Sequence, residues 1–103
     1  MSNTNYYEKL IDDIVMICSE KIDLFHQNGE VNILESLEKQ LIEIYATSYN
    51  YYLKDLISLE EYEIIKKVVG AITSEIIYGL HHSYIFEYTS EDFVTIIDNN
   101  SKI

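Results

Sequence analysis

The sequence has no arginine and a single cysteine among its 103 residues. Without arginine, the chain lacks the forked guanidinium donor that binds carboxylates and phosphates through two parallel hydrogen bonds. A lone cysteine, Cys18, cannot form an internal disulfide, which excludes a secreted scaffold held together by disulfide bridges.

Long apolar runs and targeting signals are also missing. The longest candidate for a membrane span, residues 68–80, is too short and contains Glu75. The first five residues have neither the basic start nor the apolar run of a signal peptide. We therefore expect a cytoplasmic protein that does not insert into a membrane.

Charge is the strongest feature that is present. Eighteen Asp and Glu residues against seven lysines give a formal net charge of −11. A surface this negative repels phosphate backbones and is attracted to basic surfaces. We expect a basic protein as partner and no direct nucleic-acid binding. A homodimer remains an alternative. The 48% apolar content indicates a folded domain rather than a disordered acidic tail.

Apolar residues recur every three or four positions in three segments, which predicts three long helices. Ile14, Leu41, Ile65 and Ile72 lie at the centres of these apolar stripes, so we expect them in the core. The first begins near Asn5 and ends at Asn28-Gly29, and the second begins at Asn32, with Glu35 as its capping partner. The second contains a weak helix-forming stretch at 47–52, which leaves a bend or break there as an alternative. The third begins at a capping box, Ser58 to Glu61, and ends near Gly79.

The last twenty residues allow two interpretations. Ser90-Glu91-Asp92 favours the start of a short helix that reaches Asp98. The alternative is a β-hairpin at 84–97 packed on the helices, since both halves are rich in strand formers. The predicted fold is a single acidic domain over residues 1–103, an all-α, up-down antiparallel helical bundle of three long helices plus a short C-terminal helix.

The residue types that often carry chemistry have structural explanations in this sequence. Cys18 lies on the apolar stripe of the first helix with no basic neighbour at helical spacing, so we expect a buried core residue. His26, His81 and His82 lack the helical spacing of a metal-binding pair. They lie near the ends of predicted helices, where an imidazole complements the helix dipole. Paired acids at 12–13, 60–61 and 91–92 do not lie within an apolar stripe, as a catalytic pair would require. We therefore predict no enzyme activity, no cofactor and no metal.

Two groups of residues are candidates for binding a partner. The first is the outer side of the first helix, where acids share one face with only Lys9 and Lys21 nearby. The second is a cluster of tyrosines, so closely spaced that one helix cannot direct all of them into the core. These side chains belong either to an interface with a partner or to a core with their hydroxyls reaching water. The candidate residues are Asp12, Asp13, Glu20, Asp23, Tyr45, Tyr49, Tyr51 and Tyr52.

Size, acidity and missing catalytic groups resemble those of small phage anti-defence proteins and nuclease-immunity proteins, a likeness of composition rather than of motif. It implies a phage or bacterial inhibitor that occludes a basic surface of a nucleic-acid-handling enzyme or toxin through protein–protein interaction. One alternative is a bacteriocin-type immunity bundle, although the anionic inner membrane face favours a basic surface. Another is a self-associating structural or regulatory module.

Overall fold

The computed structural model describes the backbone of residues 4–81 and 88–101, with side chains for 6–78 and 88–101. Four helices account for most of these residues: α1 (Thr4–Asn28), α2 (Val31–Leu53), α3 (Leu59–His81) and α4 (Ser90–Asn100). Over these two ranges there is no strand, which confirms the all-α prediction. The hairpin alternative is wrong because its second half lies in α4, while residues 84–87 lie outside the described ranges.

Contacts at the helix ends show that sequential helices run antiparallel. Tyr6 near the start of α1 packs edge-on against Tyr51 near the end of α2, with ring centroids 5.1 Å apart. The ring of Tyr52 stacks on Tyr62 near the start of α3, at 5.5 Å. The Tyr88 hydroxyl, just before α4, donates to Glu75 near the end of α3 at 2.6 Å. The predicted up-down topology is therefore confirmed.

The short C-terminal helix is a full member of the bundle. It packs on α1 and α3, while α2 packs on the same two helices from the other side. Tyr7 Oη donates to the Ser101 carbonyl oxygen at 3.3 Å, and a ring nitrogen of His26 contacts the Tyr88 carbonyl. Helices α1 and α3 therefore occupy one diagonal of the bundle, and α2 and α4 occupy the other.

The capping chemistry predicted from the sequence is confirmed at the start of α3 and corrected at the starts of α2 and α4. Ser58 and Glu61 form the predicted capping box, with reciprocal bonds of 2.9 and 3.0 Å. The Asn32 cap is wrong: α2 begins at Val31, and Glu30 precedes it without a side-chain cap. α4 is capped one residue earlier than predicted, by Thr89 with Asp92 in a capping box.

The ends of α1 and α2 use left-handed residues. Gly29 has a φ of 69°, which confirms the predicted end of α1 at Asn28-Gly29. At the end of α2 the left-handed residue is Asp55, with a φ of 60°. The Leu56 amide donates to the Tyr51 carbonyl and the Asp55 amide to the Tyr52 carbonyl. This is a Schellman motif with aspartate where glycine is usual.

The break considered for 47–52 is absent, since α2 continues to Leu53. Packing explains why this weak helix-forming stretch stays helical. Ser48 is completely buried and its hydroxyl donates to the Tyr45 carbonyl at 2.6 Å, while Tyr51 and Tyr52 pack on neighbouring helices.

One core of aliphatic side chains joins all four helices. Ile14, Leu41, Ile65 and Ile72, the central residues of the predicted stripes, are fully buried, and Phe93 and Ile97 complete the core from α4. Six of the buried residues lie on α3, more than on any other helix within the described ranges. The remaining buried side chains are those of Leu10, Cys18, Ile22, Leu34, Leu37, Ile57, Ile64, Val68, Val69 and Ile76.

Candidate protein-binding surfaces

The four acidic candidates of α1 lie on its outer side. Asp12, Glu20 and Asp23 are exposed, and Asp13 is half-buried. The opposite side of the same helix carries Leu10, Ile14, Cys18 and Ile22, which are buried in the core. We call the outer side, made of Asp12, Asp13, Glu20 and Asp23, the α1 acidic face.

An apolar side chain lies at the centre of the α1 acidic face. Met16 is 52% exposed. It follows Asp12 and Asp13 by four and three residues and precedes Glu20 by four, so it is their neighbour on the helix surface. Lys9 is exposed and Lys21 half-buried nearby. The arrangement offers a flexible, polarizable thioether within a negative field, which suits contact with the alkyl stems of basic side chains.

The four tyrosine candidates divide between two neighbours. Tyr51 turns toward α1 and packs on Tyr6. Tyr45, Tyr49 and Tyr52 turn toward α3, where their ring centroids lie 5.8, 5.8 and 5.5 Å from that of Tyr62. Tyr49 is exposed, and the other three candidates are half-buried. The cluster therefore contributes both to helix packing and to the surface.

A hydrogen bond between two hydroxyls fixes the α3 side of this cluster. Tyr45 Oη and Tyr62 Oη are 2.7 Å apart. The hydrogen bond to Tyr45 and burial together raise the pKa of Tyr62 to about 12. At neutral pH the Tyr62 hydroxyl therefore keeps its proton and holds α2 against α3.

Next to this cluster is an apolar surface that the sequence analysis missed. Ile42, Ala46, Tyr49 and Leu53 share one exposed stripe of α2, and Leu59 is exposed at the start of α3. The four large side chains among them are 47–59% exposed. We call Ile42, Ala46, Tyr49, Leu53 and Leu59 the α2–α3 patch. Its signal in the sequence is a second apolar series at helical spacing, beside the core series of Leu34, Leu37 and Leu41.

The two candidate surfaces lie on different sides of the bundle. α1 and α3 are diagonal to each other, so the outer side of α1 points away from the seam between α2 and α3. Of the four tyrosine candidates, Tyr51 reaches α1, through Tyr6 near its start. The acids and the tyrosines predicted from the sequence therefore do not form one continuous site.

Several reactive residue types have structural roles instead. Cys18 is fully buried, and that burial raises the pKa of its thiol to about 12. Glu61 and Asp92, each from a predicted acid pair, accept hydrogen bonds in capping boxes. Over the residues whose side chains are described, no group of three or more His, Cys, Asp or Glu could hold a metal ion. The side chains of His81 and His82 lie outside those residues.

A shallow depression of about 260 Å³ borders the α1 acidic face, where α1 meets the end of α4. Tyr7, Glu8, Ile11, Asp12 and Ser101 line it. It is open and mixed in polarity, unlike the mostly apolar concave pockets that enclose small molecules. We therefore assign the binding potential of this region to its surface rather than to a cavity.

Comparisons with family models, curated proteins and solved structures gave no match to this chain. Among the helices as described, none combines the length and the apolar character needed to cross a membrane.

Proposed function

We propose that this chain is a non-enzymatic acidic inhibitor of the immunity or anti-defence type, of phage or bacterial origin. It binds a basic surface of a nucleic-acid-handling enzyme or toxin in the cytoplasm and occludes that surface. The observation that carries this proposal is the α1 acidic face, with exposed Met16 at its centre, on a chain of net charge −11.

Electrostatics supports a basic protein as the partner. The charge of the chain repels nucleic acid directly but accelerates encounter with a positive protein surface. Carboxylates on a stable helix resemble a phosphate backbone in charge while costing little conformational ordering on binding. Met16 adds apolar contact that charge alone does not supply. The chain therefore competes for surfaces that hold phosphates.

The buried thiol and the capping carboxylates support a non-enzymatic role. Cys18 is protonated at neutral pH and lies within the core, so it is not an activated nucleophile. Glu61 and Asp92 are occupied in stabilising helix starts. A catalytic acid–base pair would need one of its carboxyl groups in a dry pocket that a substrate can enter.

The experiment is affinity capture from the cell that encodes the chain, followed by binding kinetics with the purified partner. We expect a basic nucleic-acid-handling protein whose association rate falls as salt rises. The neutral variant Asp12→Asn, Asp13→Asn, Glu20→Gln, Asp23→Asn should slow association roughly tenfold or more at low salt.

A matched control removes four exposed carboxylates elsewhere, and thus the same net charge: Glu30→Gln, Glu35→Gln, Glu91→Gln, Asp98→Asn. This control should slow association much less than the α1 variant if the α1 acidic face meets the partner. Equal slowing would reduce the role of that face to net charge, and salt-independent binding to a neutral or acidic partner would refute the proposal.

A further inference from the structure

The α2–α3 patch is an exposed ridge with a defined length and direction. Ile42, Ala46, Tyr49 and Leu53 recur at intervals of four, three and four residues, so they line up along one side of α2. Eleven residues of helix span roughly 16 Å, or three turns. Leu59 extends the ridge onto α3. This is the spacing with which one helix receives the apolar stripe of another.

Contacts between α2 and α3 support the patch from beneath. Tyr45, Tyr49 and Tyr52 contact the ring of Tyr62, and the Tyr45–Tyr62 hydroxyl bond joins the two helices. α2 ends just beyond Leu53 in the Schellman motif at Asp55. A surface held in place in this way loses little entropy on binding, which favours affinity.

The rim of the patch is acidic. Apart from Glu61, which the capping box holds, five carboxylates and two lysines lie within four residues of a member of the patch: Glu38, Glu43, Asp55, Glu60 and Glu63, with Lys39 and Lys54. A second copy would bring the same carboxylates and a further net charge of −11 against them. Charge complementarity therefore favours a basic occupant over self-association.

We propose that the α2–α3 patch is the docking site for an amphipathic helix of a basic partner protein. The apolar stripe of that helix packs on Ile42, Tyr49 and Leu53, while its flanking lysines and arginines face the acidic rim. The positive charge of the occupant rests on the proposed function, whereas the location rests on the exposed ridge. The patch then supplies a second contact with the same partner, in addition to the α1 acidic face.

The test uses two synthetic helical peptides of 18 residues with the same leucine stripe, one with a lysine polar face and one with a glutamate polar face. We expect the intact chain to bind the lysine peptide and not the glutamate peptide. The variant Ile42→Ala, Leu53→Ala, Leu59→Ala should weaken this binding roughly tenfold or more, since apolar anchors dominate such interfaces.

The matched control truncates three exposed apolar residues outside the patch: Leu24→Ala, Val31→Ala and Ile77→Ala. It should bind the lysine peptide as the unmodified chain does. Amide chemical-shift mapping on the unmodified chain gives a second readout that does not depend on folding of a variant. Shifts should concentrate at 42–53 and 59–62.

Three results would overturn the inference. They are equal loss of binding in the control variant, shifts concentrated on α1, and concentration-dependent dimerisation in sedimentation that the patch variant abolishes. Failure of the proposed function is separable: tight binding of the glutamate peptide to the same patch would keep the location and reject the basic partner.

Discussion

Burial determines what Cys18 can do. Its side chain is fully enclosed, and burial raises the pKa of its thiol to about 12. We expect a disulfide-exchange reagent at pH 8 to modify Cys18 no faster than the chain unfolds. The measurement is the labelling rate across a denaturant series, which should follow the population of unfolded chain. Rapid labelling of the native protein would contradict the buried position.

Tyr62 gives the chain a pH dependence in the alkaline range. Its pKa is about 12 in the folded chain, mainly through the hydrogen bond with Tyr45, against 10.0 for an unperturbed tyrosine. The stabilisation is therefore complete below pH 10 and is lost as the pH rises toward 12. We expect the difference in unfolding free energy between the unmodified chain and Tyr62→Phe to shrink over that window. A constant difference from pH 8 to 12 would contradict this account.

At the residue scale, apolar periodicity predicted which side chains are buried but not which ones meet. Ile14, Leu41, Ile65 and Ile72 are in the core as expected, because a stripe at helical spacing identifies the inward face. The contacts of Tyr62 could not be predicted in the same way. They depend on the register between α2 and α3, which one helix's periodicity does not contain.

At the element scale, the end of α2 can be improved. Asp55 is left-handed at the position where glycine is usual, and a side chain there carries a backbone cost. We expect Asp55→Gly to raise the free energy of unfolding by about 0.5–1 kcal/mol. Denaturant titration measures the change, with Asp55→Ala as the control that removes the charge but keeps a β-carbon. Equal stabilisation by Asp55→Ala would assign the gain to charge instead of backbone conformation.

α4 shares the core of the long helices, so we expect it to unfold together with them. Phe93 is its largest buried side chain and is fully enclosed. Truncation to alanine should cost about 3–5 kcal/mol of global stability. Exposed Asn99→Ala, on the same helix, should change stability by less than about 0.5 kcal/mol. If Phe93→Ala melted α4 alone and left the remaining transition unchanged, α4 would be an appendage rather than a bundle member.

The start of a helix was predicted correctly where the capping residues are local, and wrongly where a different residue precedes the helix. Ser58 and Glu61 are three residues apart and satisfy each other without help from the rest of the chain. Asn32 has the same type of sequence signal, but the two-residue connection through Gly29 and Glu30 already starts α2 at Val31. The short turn therefore overrides the capping preference.

At the scale of the whole molecule, the sequence predicted an acidic outer face on α1 but not how that face is arranged relative to the tyrosine cluster. The acids of α1 point outward because the opposite side of that helix is apolar. Their separation from Tyr45, Tyr49 and Tyr52 follows from the diagonal positions of α1 and α3, which depend on α4 packing between them. The α4 contribution was ambiguous in the sequence because residues 93–97, within this helix, are also rich in strand formers.

We propose that this acidic chain covers the surface that its partner uses to hold nucleic acid. The most direct measurement is the affinity of the purified partner for a labelled oligonucleotide as the concentration of this chain rises. We predict competition: the apparent dissociation constant of the oligonucleotide rises linearly with the concentration of the chain, and no ternary complex forms. A ternary complex with unchanged oligonucleotide affinity would contradict the account.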